Sequence, residues 1–512
     1  MIPRLKRLFP LILTILIIAI SWSAWRSISD ALIKGQWFHL TEDEAIFAEV
    51  IEVFSETGKY GAWNGEEFSP WITAGPAALV PPALLKRMTG MSSSHAGRIG
   101  SFFFHLLMVD LILLLAFFGK NRFVLPKVSD WLPFALLTIG IFYQGWRGVQ
   151  NAEYFMFGVF GESAALFYLV LTLFLLARDR VFLAAAAATA AVLAKPYMFF
   201  LIVSLAIVLI FEKKKRPMLR ALFGVASVLS IYSMWMISSL GVNGFIEYWL
   251  VYPDRMSGLT GTKGLSVNFL TSGFVLDKLK SDVARFFHIV KIRTALMVLF
   301  GFFIALLNYD RNRWVKLSMV YFGIQSAWFL LLGPGNIPRY ILPALIPPIM
   351  VLCVYLGAWF KEWFIQLEIN YRAAWVFLML TPLLIFSYRV EQNWKKNYEN
   401  LATCGLCRQL AAQEYWKNSR LDRDIPIWTA TTGYSRDLAF VLSASYRINS
   451  FDPVISKKSG WPSSIDTESK PSEGDWVIFG EMPKPGLLDY LREKKCQPVF
   501  RLPSSNEGFW KC

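Results

Sequence analysis

The feature that most constrains this chain is a succession of apolar runs, about 15 to 22 residues long, separated by short polar stretches rich in Lys and Arg. Runs of that length match the hydrocarbon thickness of a bilayer and are longer than a buried strand needs. They begin with FPLILTILIIAISWSAW and continue near 98–119, 131–145, 156–177, 182–194, 197–211, 219–239, 293–308, 315–333, 338–360 and 373–389. The composition agrees, with 55% hydrophobic and only 17% charged residues, where a soluble domain is about a quarter charged. The fold class expected is an all-α polytopic membrane protein.

The net charge of +15 would suit a polyanion-binding protein, but its distribution does not. Arg4, Lys6 and Arg7, Lys120 to Lys127, Arg178 and Arg180, Lys213 to Arg216, and Arg311 to Lys316 each flank an apolar run. This is the positive-inside pattern, a topology signal on cytoplasmic loops, and it argues against nucleic acid as a partner. MIPRLKR and the run after it lack a small-residue cleavage site, so the run reads as a retained first span.

VFLAAAAATAAVLAKPYMFFLIVSLAIVLIF is too long for one span and short for two. Broken at Lys195-Pro196 into a hairpin, it puts FEKKKRP, DRNRWVK and the 361–372 loop all on the cytoplasmic side. Proline lacks an N–H and disfavours helix at the preceding residue, which favours the break. About eleven spans follow, with the N-terminus cytoplasmic and the C-terminus outside, as in a bacterial inner-membrane protein. The membrane domain covers 1–390, with non-cytoplasmic loops near 26–97, 146–156 and 240–292. In the third, Leu276, Leu279, Val283, Phe287 and Val290 fall at helical spacing, as expected of a helix lying on the membrane surface.

Residues 391–512 alternate short strand-like runs (PIWTA, YRINSF, DWVIFG, PVFRL) with helical stretches, which reads as a small extracytoplasmic α/β domain. Four of the five cysteines lie there: Cys404, Cys407, Cys496 and Cys512. An oxidising exterior favours disulfides, with Cys496–Cys512 able to bridge a terminal hairpin and Cys404–Cys407 a CGLC turn. Cys353 falls inside a span as a small core residue.

HLTEDEAIFAEV, just after the first span, concentrates negative charge near the membrane surface. Thr41 and Glu44 have the spacing of a capping box, and Ile46, Phe47, Val50, Ile51 and Phe54 give the ensuing helix an apolar side. Asp43, in the first turn, is stabilised by the helix dipole. Neighbouring helical residues point about 100° apart, so if Glu44 caps, Asp43 is left to face a substrate.

This stretch, with SPWITAGPAALVPPALLKRMTG and HAGRIGSFFFHLLMVDLIL after it, resembles the first outer loop and second span of the GT-C glycosyltransferases. The branch it is most similar to holds the protein O-mannosyltransferases and the lipid A aminoarabinose transferases. FGESAALFYLVLTLFLL, AVLAKPYMFF and IPRYILPALIPPIM resemble later pieces of the same family, so the likeness spans roughly residues 1 to 390. It implies inverting transfer of a sugar from a polyprenyl-phosphate donor to an acceptor hydroxyl of a lipid, glycan or protein, at the non-cytoplasmic face.

Such chemistry needs a carboxylate to take the acceptor's proton and cations for the departing phosphate. Asp43 is the expected general base. Glu162, at the family's second acidic position, would orient the acceptor or hold a metal. Glu44 completes the acidic group, and Glu153 is a competitor on the same loop as Glu162. Arg339 is the leading phosphate ligand, since a guanidinium grips phosphate oxygens with a fork. Lys195 joins it as an ammonium costly to keep in an apolar hairpin. Arg98 serves likewise or anchors its span at the interface. No cofactor is firmly implied; a divalent cation, if used, would fall to Asp43, Glu162 and Glu42. His105 and Asp110 are expected to be buried structural residues, and Trp63, Trp71 and Tyr248 an interfacial belt.

Two other readings share the membrane architecture. A transporter or flippase of lipid-linked sugars predicts charge and broken helices at mid-bilayer, whereas the ionisable residues here gather at one face. A glycan ligase or polymerase would use the same kind of donor.

Overall fold

The computed structural model describes residues 42–365 apart from 65–66, 70–73, 119–127, 147–148, 150–151, 160, 260–279, 281–282, 285, 310–311 and 332–337, with further segments of the tail. The first apolar run and most of 373–389 lie outside the described residues. The architecture is helical. Helix α1 (Glu42–Thr57) leads through a short hairpin, β1 (Ala62–Asn64) and β2 (Glu67–Ser69), to α2 (Pro76–Thr89). The bundle follows: α3 (Ser93–Phe118), α4 (Val128–Trp146), the short α5 (Ala152–Phe157), α6 (Glu162–Ala177), α7 (Val181–Ala194), α8 (Phe199–Phe211), α9 (Lys215–Leu259), α10 (Ile292–Leu307), α11 (Arg313–Leu331) and α12 (Pro338–Ile365).

The apolar runs expected between 98 and 360 coincide with these helices, except that 156–177 is broken by the turn before Glu162 and shared between α5 and α6. Three, within α3, α9 and α12, are long and apolar enough to cross a membrane; five others among the described residues are shorter apolar helices. The exposed large side chains of α9 and α10, among them Leu222, Phe223, Leu296, Leu299 and Phe303, are what a lipid-facing surface requires. The core lies between the helices. It runs from Phe47 and Ile51 of α1 through Leu166 and Leu169 to Ile341 and Met350 of α12. Small residues set the closest crossings. A Cβ on Gly224 would stand 2.3 Å from the Phe182 carbonyl oxygen, and one on Gly301 would stand 2.1 Å from that of Pro348.

The long apolar stretch does break at Lys195-Pro196. Lys195 is extended (φ −146°, ψ 121°), and a 3-10 turn over Pro196–Met198 starts α8. The parity this implies is visible at one end of the bundle. There Arg313 donates to both carboxylate oxygens of Glu212, at 2.7 to 3.0 Å, and to Asp179 at 3.4 Å. The α6–α7 turn, the α8–α9 turn and the start of α11 therefore share one face.

The third outer loop differs from expectation. Instead of ending near 239, α9 stays helical to Leu259 across a break at Gly241 (φ 73°, ψ 170°), a backbone state open mainly to glycine. Tyr232, Met236 and Tyr248 share one buried cluster. A straight helix would hold Tyr232 and Tyr248 about 24 Å apart, so the chain turns back at Gly241. Tyr248 is thus a packing residue and not part of an interfacial belt. Of the expected surface stripe, Val283 and Phe287 are exposed, whereas Val290 is wholly buried and bridges Val149 of the second loop.

In the tail, β3 (Ile427–Thr429), β4 (Ile448–Ser450), β5 (Trp476–Phe479), β6 (Gln497–Arg501) and β7 (Gly508–Lys511) form one sheet of order β4-β3-β5-β7-β6. β3 runs parallel to β4 and β5, while β7 is antiparallel to β5 and β6. The expected strand runs are all present, and β7 is an addition. Cys496 and Cys512 are disulfide-bonded across the β6–β7 hairpin. Cys404 and Cys407 lie outside the described residues, as do most of the tail's helical stretches. Cys353 is a buried free thiol on α12.

Candidate active site

Helix α1 forms where the sequence places it, and it carries Asp43 in its first turn. The Asp43, Glu42 and Glu153 side chains lie outside the described residues. Glu44 is 1% exposed. Its carboxylate receives the Arg98 guanidinium, Nε to Oε1 at 3.4 Å and Nη2 to Oε2 at 3.3 Å, and the Val159 N–H at 3.1 Å. The Glu44 oxygens therefore serve tertiary contacts, and Arg98, at 8% exposed, is a buried ion-pair partner and not an interfacial anchor. The capping partner Thr41 lies outside the described residues.

The bond to Val159 ties α1 to the turn that launches Glu162. Gly161 in that turn has φ 84°, and a Cβ there would crowd Ala74, Ala78 and Cε of Lys195. Glu162 opens α6 at 1% exposed. Its Oε1 lies 3.3 Å from Lys195 Nζ and 4.0 Å from Arg339 Nε. Three of the residues expected from sequence, on α6, the α7–α8 turn and the start of α12, thus converge. Lys195 is buried and lies over the Phe47 ring at 5.2 Å. Phe47 is on α1, one helical turn after Asp43. Arg339 retains 24% side-chain exposure, so the cluster is open on its side.

Neither Glu162 oxygen accepts a hydrogen bond from the described residues. A buried carboxylate normally collects several. The Tyr197 hydroxyl and the Gln325 Oε1 are likewise buried without a hydrogen-bond partner there. Tyr197 packs edge-on against Tyr340 at 5.1 Å and parallel to Trp328 at 6.4 Å, and Gln325 donates to the Tyr340 carbonyl at 3.3 Å. These residues were missed in the sequence reading. A lone amide inside an apolar helix, and a tyrosine next to the Lys-Pro break, were the signals for them.

Two further expectations part company. His105 is fully buried, with Nε2 2.8 Å from the Tyr143 hydroxyl, as a structural residue should be. Asp110 instead lies on the exposed face of α3. Among the described residues no three His, Cys, Asp or Glu side chains gather as a metal site would require.

Fold and site together define a multi-pass membrane protein whose helix α1 lies against a buried cation–carboxylate cluster at one end of the bundle. The chain shares its fold with a solved structure. The crystal structure of ArnT from Cupriavidus metallidurans bound to undecaprenyl phosphate is similar at TM-score 0.57 and 13% identity, covering 97% of both chains. The same protein in the apo state is similar to the same degree. An Archaeoglobus fulgidus oligosaccharyltransferase is similar only at TM-score 0.45 and 11% identity, over 96% of this chain and 72% of that one. No protein-family model matches the chain, and no curated protein sequence does.

Proposed function

We propose that this protein transfers a sugar from a polyprenyl-phosphate donor to an acceptor hydroxyl at the non-cytoplasmic membrane face. The observation that carries the reading is the meeting of Lys195 and Arg339 beside Glu162, with Lys195 over the Phe47 ring of α1. Lys195 and Arg339 are far apart in sequence yet meet at one place, and a buried ammonium, here at 4% exposure, is costly to keep in an apolar bundle. A phosphate bridging them would gain a charge-assisted hydrogen bond from each. The ArnT structure of the same fold holds undecaprenyl phosphate, which is a ligand of this chemistry.

In the reaction, the acceptor oxygen attacks the anomeric carbon while Asp43 takes its proton. The bond from that carbon to the phosphate oxygen breaks, its electron pair stays on the phosphate, and the configuration inverts. Lys195 and Arg339 stabilise the charge that appears there, so no acid is needed. Glu44 and Arg98 act at one remove: their ion pair holds α1 and the Val159 turn in register. A flippase or a glycan ligase remains the alternative use of such a site, and the gathering of the cluster at helix ends rather than at mid-helix favours chemistry over transport.

The test is binding and turnover in purified protein. Asp43→Asn should bind undecaprenyl phosphate like the parent yet transfer no sugar, a loss of about 100-fold or more for a missing general base. Lys195→Met and Arg339→Met should each weaken undecaprenyl phosphate binding about tenfold or more. An active Asp43→Asn variant rejects the base, and unchanged lipid binding in both cation variants rejects the site. Mass spectrometry of lipid-linked sugars in a deletion strain would name the donor by its accumulation.

A further inference from the structure

Beyond the phosphate, the cluster specifies part of the sugar. Glu162 Oε1 lies within 4.0 Å of a nitrogen of both cations, and its two oxygens accept no hydrogen bond from the described residues. The 3.3 Å approach of Lys195 is a charge contact without hydrogen-bond alignment. A carboxylate so thoroughly buried calls for donors. A phosphate has none to offer when ionised, so whatever anion Lys195 and Arg339 bind leaves Glu162 unsatisfied. On a sugar joined to phosphate at its anomeric carbon, the nearest donor to the phosphate oxygens is the hydroxyl on the adjacent carbon, C2. A phosphate bridging Lys195 and Arg339 sets that hydroxyl against Glu162.

We infer that Glu162 accepts a hydrogen bond from the C2 hydroxyl of the donor sugar and makes it a specificity-determining contact. This rests on the lipid-phosphate reading of the same cations. It commits the donor to a sugar with a hydroxyl at C2 and excludes 2-deoxy sugars. The Tyr197 hydroxyl, buried without a hydrogen-bond partner and within the electrostatic reach of Glu162 and Arg339, is placed to meet a neighbouring hydroxyl of the same ring. The contact also matters for rate, since positive charge grows at the anomeric carbon and a C2 hydroxyl bonded to a carboxylate is polarised to stabilise it.

The experiment measures binding of synthetic polyprenyl-phosphate lipids to the full-length protein in detergent. The probes are the bare phosphate, the mannosyl and glucosyl forms, and the 2-deoxy-2-fluoro counterpart of each. Fluorine keeps size and polarity but cannot donate. The wild type should bind one hydroxyl lipid at least about tenfold more tightly than its fluoro counterpart, the range for a hydrogen bond to a charged group. Glu162→Gln should bind the bare phosphate more tightly, because the competing carboxylate charge is gone, and should discriminate hydroxyl from fluorine by less than about threefold. Equal wild-type affinity for hydroxyl and fluoro lipids overturns the inference while leaving the lipid-phosphate reading intact. Full discrimination persisting in Glu162→Gln overturns it too. Failure of the wild type to bind even the bare phosphate overturns the underlying reading instead. Should Glu162→Gln not fold, the wild-type comparison decides alone.

Discussion

At the scale of single residues, neighbours in sequence do unlike work. Asp43 and Glu44 are adjacent, and neighbouring residues of a helix point about 100° apart. Glu44 is committed to Arg98 and the Val159 N–H, so its removal is a folding defect before it is a catalytic one. Glu44→Gln would leave the Arg98 guanidinium buried without its counter-charge, a loss of about 3–5 kcal/mol. Thermal unfolding in detergent should fall accordingly, with surviving folded protein still binding undecaprenyl phosphate. Glu212 provides a second residue-scale prediction. The Arg313 guanidinium hydrogen-bonded to it holds its carboxyl below the usual range. A depressed carboxylate contributes stability above its unfolded value, near 4.3, and loses it as pH falls through the folded value. Glu212→Gln should therefore cost about 1.5–3 kcal/mol at neutral pH, and the gap between variant and parent in denaturation assays should shrink in acid.

At the scale of elements, what matters is how turns at opposite ends of the bundle are fastened. Arg313 gathers two turns at one end. At the other, Gly75 N–H donates to the Ala194 carbonyl at 2.9 Å, and a Cβ on Gly75 would come within 1.9 Å of the Leu193 carbonyl oxygen. That oxygen is backbone and cannot swing aside, so Gly75→Ala must push α2 away from the α7–α8 turn and shift Lys195 with it. The expected outcome is a loss of about 1–3 kcal/mol in stability together with weaker undecaprenyl phosphate binding. A Gly75→Ala protein with parental lipid affinity would show that the turn tolerates displacement. The helices themselves were legible because a membrane span must be apolar along its own length. The loop after 239 was not. Its polar residues and the glycine at 241 look alike whether the chain unwinds or turns back as helix, and the tie from Tyr248 to Tyr232 decides between them.

At the scale of the whole molecule, the two ends of the bundle differ in kind. One carries the pairs of Arg313 with Glu212 and Asp179, which hold turns together, the other a buried cluster whose carboxylate, Glu162, accepts no hydrogen bond from the described residues. The first arrangement stabilises a fold, and the second is the site proposed for the donor lipid. Helix α1 lies against it through Phe47, over Lys195, and is pinned to the Val159 turn through Glu44. The sheet of the tail is closed at its β6–β7 hairpin by the Cys496–Cys512 bond.

Membrane class, helix positions, the Lys195-Pro196 break and the list of charged residues worth attention were determined by the sequence alone. Each is a local property: a bilayer tests every segment separately for apolarity and internal hydrogen bonding. That Glu162, Lys195 and Arg339 meet, that Glu44 goes to Arg98, and that Gln325 and Tyr197 join the cluster were decided only by tertiary structure. Those contacts depend on which helix faces pack together, and side-chain fit between distant segments leaves no periodic trace in the chain.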